Sequence, residues 1–171
     1  MNHKETEMRG MDRVHEIQVH PLFRELREKL QIAEKDRVFC RHTMEHFLDV
    51  ARLMYIYSLE DGIAIKKDII YAAALLHDIG RYEQIISETP HDIASARIAK
   101  EILNDCGFTA EEIQTVQNAI LGHRKKESAV SGDSLTSYLY RADKSSRNCF
   151  VCPVQAECNW PAEKKNLRIA Y

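Results

Sequence analysis

Residues 69–81 read I-I-Y-A-A-A-L-L-H-D-I-G-R, and this stretch decides the fold class. Its first eight residues are apolar on every side of a helix, which is typical of a helix buried at the centre of a fold. The sequence predicts a helix over residues 67–79 that Gly80 ends. His77 and Asp78 therefore stand at the end of the most buried predicted helix, where polar groups need partners.

Helical periodicity continues on both sides of this stretch. Glycine and proline are scarce, at six and four residues, and no run alternates as half-buried strands do. Further helices are predicted over about residues 21–35, 43–58, 91–105, 110–122 and 134–147. We therefore expect an all-α fold, a compact helical bundle with a single domain. The expected division is a flexible N-terminal tail over 1–20, the helical domain over 21–148 and a cysteine-containing C-terminal tail over 149–171 that packs on the domain.

Composition and charge exclude several classes of protein. The chain has 171 residues, of which 44% are hydrophobic and 29% charged, as in globular domains. Its 24 basic and 26 acidic residues give a net charge of −2, which is no strong signal for nucleic-acid binding. No stretch approaches the roughly 20 apolar residues of a membrane helix, and the first residues lack the apolar core of a signal peptide. With five cysteines, an odd number, we expect a cytoplasmic protein with reduced thiols.

Six polar side chains fall on predicted helix faces or ends that are otherwise apolar. They are His46, His77, Asp78, His91, His123 and Asp143. Any one of them alone is more often a satisfied core group than a ligand. Six such residues from five helices are better explained if they converge on a divalent cation, because imidazole and carboxylate are its usual ligands.

Five motifs surround these residues. They are E-H-F-L-D-V-A-R (45–52), A-A-L-L-H-D-I-G-R (73–81), H-D-I-A-S-A (91–96), A-I-L-G-H (119–123) and R-A-D-K (141–144). Together they span about residues 40–148 and resemble the HD superfamily of metal-dependent phosphohydrolases. The chain is similar to the dinuclear branch of that family, which includes bacterial diadenosine-tetraphosphate hydrolases of the HD type.

The resemblance implies a set of ligands and a fold of the HD type. One metal ion would be held by His46, His77, Asp78 and Asp143. The second ion would be held by His91 and His123, with Asp78 as the bridging ligand. The resemblance thus implies two divalent ions, and these ligands do not distinguish iron, manganese, zinc and nickel.

The activity implied by the resemblance is cleavage of a phosphate ester or anhydride of a nucleotide or similar small molecule. A hydroxide bound between two cations would be the nucleophile. We expect Asp78, Arg81 and Lys144 to be catalytic, and Arg81, Arg124 and Lys144 to contact the substrate phosphate. The expected partner is this small-molecule phosphate. The sequence does not decide whether the protein is a homodimer.

Three other functions are compatible with parts of the sequence. A di-iron oxygenase on the same HD scaffold would use the same ligands, since ligands alone do not fix the reaction. A non-catalytic, nucleotide-binding HD domain is the second alternative. The third is a protease, because H-T-M-E-H (42–46) matches an inverted zinc-protease motif. The protease hypothesis leaves His77, Asp78 and Asp143 unexplained.

Three cysteines follow the last predicted helix. Cys149, Cys152 and Cys158 form a C-x2-C-x5-C pattern that the usual HD pattern lacks. They could hold a structural zinc ion or an iron–sulfur cluster, with Cys40 or Cys106 as a fourth ligand. The alternative is three reduced thiols packed in the C-terminal tail.

Overall fold

The computed structural model describes residues 3–125 and 134–171, and this part of the chain contains helices and no β-strand. The α-helices are α1 (His3–Val19), α2 (Pro21–Ala33), α3 (Met44–Glu60), α4 (Lys67–Leu76), α5 (Arg81–Ser87), α6 (His91–Asp105), α7 (Ala110–Gly122) and α8 (Ser134–Ser145). Two short 3-10 helices follow at Cys149–Val151 and Ala162–Lys164. The all-α prediction is confirmed. Within the described ranges, every helix is too short or too polar to cross a membrane.

Helix α4 lies at the centre of the bundle. It packs against α1, α3, α6, α7 and α8, and its residues from Asp68 to Leu76 are buried apart from Tyr71. Three consecutive alanines, residues 72–74, allow neighbouring helices to approach on several sides. The helix ends at Leu76, three residues earlier than predicted, and residues 77–80 form a turn. His77 and Asp78 therefore lie in this turn, just beyond the end of the central helix.

Gly80 allows the turn to pack directly against α6. Its backbone N–H donates a hydrogen bond to Ser95 Oγ at 2.9 Å. A Cβ atom at this position would lie 2.5 Å from the backbone nitrogen of Ser95 and 2.7 Å from Ala94 Cβ. Because nothing larger than glycine fits without a shift of α6, this contact sets the position of the helix that begins with His91.

The N-terminal region differs from the flexible tail expected over residues 1–20. Residues His3–Val19 form α1, which packs against α4. Val14 and Ile17 are buried in the core, and the Arg13 guanidinium forms ion pairs with Asp68 and Glu112. These contacts join residues far apart in sequence, so local composition did not reveal the helix.

The C-terminal region lies against α3 and α8. Asn166 Nδ2 donates to the carbonyl oxygens of Lys144 and Arg147, at 2.7 and 2.9 Å. The ring of Tyr171 packs edge-on against Tyr57, with centroids 5.0 Å apart. These contacts hold the residues that follow the three clustered cysteines against the end of α8 and against α3.

Candidate metal centre

The six polar residues singled out in the sequence come together around Asp78. Two groups have their ligand atoms within 4.8 Å of one another: His46, His77, Asp78 and Asp143 in one, and Asp78, His91 and His123 in the other. Asp78 is the member that the two groups share. All six side chains are buried except Asp143, which is partly buried.

The carboxylate of Asp78 stands between the two groups. Its Oδ2 lies 3.2 Å from His77 Nε2 and 3.8 Å from His46 Nε2. Its Oδ1 lies 3.2 Å from His91 Nε2 and 3.8 Å from His123 Nε2. Within the described residues, neither oxygen accepts a hydrogen bond of good geometry, and His77 Nε2 has no hydrogen-bond partner either. Buried polar atoms of this kind require partners, and a cation on each side of the carboxylate would supply them.

Two of the histidines are oriented by backbone carbonyl groups. His77 Nδ1 donates to the carbonyl oxygen of Ala74 at 2.7 Å, and His123 Nδ1 donates to the carbonyl oxygen of Ile120. A carbonyl oxygen can only accept, so the hydrogen of each neutral ring lies on Nδ1. The Nε2 lone pair of both rings is therefore directed into the site, as in histidines that bind metals.

The other two histidines have the same orientation through side chains. His46 Nδ1 lies 3.1 Å from Ser146 Oγ, whose hydroxyl donates to the carbonyl oxygen of Asp143 at 2.9 Å. The serine oxygen must then accept from the imidazole. His91 Nδ1 donates to Gln84 Oε1. Each of these rings also directs the Nε2 lone pair inward, and the donor set fits divalent cations.

Burial keeps three of the histidines neutral. Desolvation lowers the pKa of His46 to about 4, that of His91 to about 3 and that of His123 to about 4. An imidazole must be neutral to bind a metal ion. These rings are therefore in the ligating state at neutral pH.

The fourth histidine is held between two carboxylates. Burial alone would lower the pKa of His77, but Asp78 and Asp143 outweigh it and raise this pKa to about 9. The pKa values of both carboxyl groups are well below their ordinary value despite burial, chiefly because of His77. The two carboxylates thus favour a positive charge at the position of His77, which either the imidazole proton or a bound cation supplies.

Two residues outside the predicted ligand set also contact the centre. His42 is buried, its Nε2 lies 3.5 Å from Asp78 Oδ2, and its Nδ1 lies 2.7 Å from Glu34 Oε1. Arg147 Nη2 donates to His46 Nε2 at 3.1 Å and lies 3.6 Å from Asp143 Oδ1. The sequence contains only a weak signal for these two residues, which is their spacing: His42 lies four positions before His46, and Arg147 lies four positions after Asp143.

The predicted phosphate-binding cations have different surroundings. Arg81 Nε lies 2.9 Å from Asp78 Oδ1, and Lys144 Nζ lies 2.9 Å from Asp143 Oδ2 and donates to the carbonyl oxygen of His123. Arg124 pairs with Asp92 at 3.1 Å, and its side chain is 48% exposed. Arg81 and Lys144 therefore contact the centre directly, whereas Arg124 lies at its edge.

The protease motif does not form a site of its own. Glu45, the glutamate of H-T-M-E-H, is exposed and interacts with the side chain of Thr43 at the start of α3. Neither Glu45 nor His42 belongs to either ligand group, whereas His46 belongs to the first. The geometry therefore offers no support for the protease hypothesis.

A cavity of about 550 Å³ opens beside the first ligand group. His42, Arg81, Asp143 and Arg147 line the part that faces the centre. The volume is in the range of small-molecule binding sites. All three cysteines of the C-x2-C-x5-C pattern also line this cavity.

Comparison with known proteins gives the family. The HD domain model matches residues 43–152. An uncharacterized protein of Clostridium beijerinckii is 48% identical over 138 residues, which cover 81% of this chain and 85% of that protein. A bifunctional uridylyltransferase/uridylyl-removing enzyme of Cereibacter sphaeroides is 36% identical over 83 residues, which cover 48% of this chain and 8% of that enzyme. No solved structure matches. The family model matches well over half of the chain, and the histidines and aspartates of the HD pattern gather at one buried centre. The chain therefore belongs to the HD domain family.

Proposed function

We propose that this chain is a metal-dependent phosphohydrolase that cleaves a phosphate ester or anhydride of a nucleotide or similar small molecule. The observation that carries the proposal is the position of Asp78, whose two oxygens face two separate groups of inward-directed ligands. This arrangement suits two cations that share one carboxylate. Such pairs of ions are a common device for displacement at phosphorus.

The residues of the chain would divide the work around the ions. His46, His77 and Asp143 would hold one ion, His91 and His123 the other, and Asp78 would contact both. When bound, the ions would lower the pKa of a water molecule and neutralise charge on phosphoryl oxygens.

The network behind the ligands would keep them in place. The hydrogen bonds from each Nδ1 fix the orientation of the rings, and His42, held by Glu34, supports the carboxylate of Asp78. Partners of this kind tune metal affinity as well as geometry.

The substrate would approach through the cavity. Among the described residues, Arg81 and Lys144 are the side-chain cations nearest to the ligand carboxylates. We assign them to the phosphate group, with Arg124 at the periphery. Phe39 and Trp160 also line the cavity and offer flat apolar surface to a nucleobase. The partial similarity to a uridylyl-removing enzyme supports phosphodiester chemistry, because removal of a uridylyl group breaks such a bond.

Metal analysis combined with a substrate panel tests the proposal. Wild type and Asp78→Ala are compared by mass spectrometry of bound metals. Both are then assayed for phosphate or nucleotide release from phosphomonoesters, phosphodiesters, cyclic nucleotides and dinucleoside polyphosphates. We expect about two ions per chain in the wild type, the number of ligand groups, and the loss of both the ions and turnover in Asp78→Ala. Asp49→Ala is the matched control, because Asp49 lies on α3 and its ion pair among the described residues is with Arg52, at 3.2 Å.

The same assays distinguish the alternatives. Oxygen uptake by the iron-loaded protein without phosphate release would favour the di-iron oxygenase. Nucleotide binding without turnover, whichever metal is supplied, would favour the non-catalytic domain. Phosphate release that is unchanged in Asp78→Ala would overturn the proposed role of this centre.

A further inference from the structure

We propose that Cys40, Cys149, Cys152 and Cys158 bind an iron–sulfur cluster in the wall of the cavity beside the metal centre. The proposal concerns a second site, with thiolate ligands only, and does not depend on the proposed hydrolase activity. It rests on the convergence of four cysteines from two distant parts of the chain on one cavity.

The four cysteines line the same cavity. Cys40 comes from the loop between α2 and α3, and the other three come from the segment after α8. Cys149 opens a 3-10 helix, and the backbone N–H of Cys152 donates to its carbonyl oxygen at 3.2 Å, which holds the two side by side. All four are free thiols. Three ligands close in sequence and one from elsewhere is a common arrangement for iron–sulfur proteins.

The structure also decides which cysteine completes the set. Burial raises the pKa of Cys40, and Cys149, Cys152 and Cys158, which lie within electrostatic range, add to the rise. Cys106 follows α6 and is absent from the cavity wall. Burial, Glu16 and Asp105 raise its pKa to about 11, with no contribution from another thiol. The fourth ligand is therefore Cys40.

The separation of the sulfur atoms favours a cluster over a zinc ion. Four thiolates around one zinc ion stand about 3.8 Å apart, since each Zn–S bond is about 2.3 Å long. In the described part of the chain, no group of three or more cysteine sulfurs lies within 4.8 Å of one another. An iron–sulfur cluster places iron and sulfide atoms between its ligands, so its thiolates are farther apart.

The surroundings of the cysteines are positively charged. Arg37, Arg147 and Lys165 line the cavity with them, and four thiolates with their cluster carry net negative charge. Arg37 Nε donates to the carbonyl oxygen of Cys40 at 2.8 Å, which fixes the loop that carries this ligand. Burial raises the pKa of Cys40, and the guanidinium charge of Arg147 opposes part of that rise, as a positive neighbour of a thiolate ligand does.

Arg147 also connects this site with the metal centre. One nitrogen of its guanidinium donates to the carbonyl oxygen of Arg41 at 3.1 Å, and the other donates to His46 Nε2 at 3.1 Å. Cluster assembly would join the loop of Cys40 to the segment after α8. The cluster would thereby fix one wall of the cavity next to Asp143.

Anaerobic reconstitution of the full chain with sulfide and equal amounts of ferrous and ferric iron, which supply the two oxidation states of a [4Fe–4S]2+ centre, tests the proposal. We expect broad absorbance at about 400 nm and iron with acid-labile sulfide in the proportions of a [4Fe–4S] centre, about four sulfides per chain. Cys40→Ser and Cys152→Ser should each lose most of the sulfide, while Cys106→Ser keeps it. Circular dichroism of each variant verifies that the helices are retained, and Cys158→Ala provides a second substitution within the cluster.

Acid-labile sulfide separates this site from the metal centre. Asp78→Ala should lose the ions of that centre and keep both the sulfide and the absorbance, so failure of one proposal is distinguishable from failure of the other. A wild-type chain without sulfide after reconstitution would overturn the cluster. So would a single zinc ion bound by the cysteines, or full sulfide content in Cys40→Ser.

Discussion

The Nε2 atoms of His91 and His123 lie 3.3 Å apart. The Nδ1 atom of each ring donates its hydrogen to an oxygen, Gln84 Oε1 in one case and the carbonyl oxygen of Ile120 in the other. Two lone pairs therefore face each other beside Asp78 Oδ1. Such a contact is repulsive by itself and becomes favourable when a cation lies against both rings and the carboxylate.

The first prediction follows from this pair. His91→Ala removes a ligand of the second group only, so we expect metal content to fall from about two ions per chain to about one. His46→Ala should have the same effect through the first group, and Asp78→Ala should remove both ions. Metal analysis by mass spectrometry measures the content of each variant.

His20→Ala is the control for these substitutions. His20 lies outside both ligand groups, and its Nε2 is 3.3 Å from the exposed Asp105. The metal content of the His20→Ala variant should equal that of the wild type. Equal loss of metal in His91→Ala and His20→Ala would mean that the second group is not a specific site.

The second prediction concerns Lys144. Its Nζ lies beside Asp143 but offers no lone pair to a metal when protonated. Lys144→Ala should therefore keep the bound metal and lose one charge-assisted hydrogen bond to the substrate phosphate, which corresponds to about a 10- to 100-fold fall in kcat/KM. Unchanged kinetics would refute the assigned role, and Lys144→Arg should recover part of the activity. Lys100→Ala, at an exposed position of α6, is a suitable control.

The third prediction concerns the contact between the central turn and α6. Gly80→Ala would place a methyl group 2.5 Å from the backbone nitrogen of Ser95, and backbone cannot move aside as a flexible side chain can. We expect the free energy of unfolding to fall by about 1–3 kcal/mol. Because α6 begins with His91, affinity for the second metal ion should fall as well. Urea unfolding and metal titration measure the two effects, and unchanged values in both would contradict the packing described above.

The fourth prediction concerns stability in acid. A hydrogen bond from Arg13, with help from Lys66, lowers the pKa of Glu112 from 4.5 to about 2 although desolvation opposes the shift. The carboxylate of Glu112 therefore binds a proton more weakly in the folded state than in the unfolded state. The contribution of Glu112 to stability is fully present above about pH 4.5 and is lost as the pH falls towards 2.

Glu112→Gln tests this linkage. The variant should be less stable than the wild type at neutral pH, and the difference should shrink as the pH falls from about 4.5 to 2. Thermal unfolding at several pH values measures it. Glu111→Gln is the control, because Glu111 is the exposed neighbour of Glu112 in the first turn of α7. A constant difference between wild type and Glu112→Gln across this range would show that the ion pair with Arg13 does not stabilise the fold.

Periodicity predicted six of the described helices, all except α1 and the short α5, because each of the six depends mainly on its own apolar pattern. The run from Ile69 to Leu76 is apolar on all sides and lies at the centre, and α6 and α7 have the predicted bounds. The six candidate ligands were visible for a related reason, since each interrupts an apolar face at a cost that only a shared partner offsets. The sequence by itself therefore determined the fold class and supplied the six candidate ligands that the structure brings together around Asp78.

Tertiary structure decided everything that depends on contacts between distant residues. It placed the two oxygens of Asp78 towards different ligand groups, brought Glu34 behind His42, and placed Arg147 against His46. It also placed Cys40, and not Cys106, in the cavity wall that the three C-terminal cysteines line, and showed that α1 packs against the core through Val14 and Ile17. No local pattern encodes these relationships, because each depends on the direction and separation of side chains that only the packed helices fix.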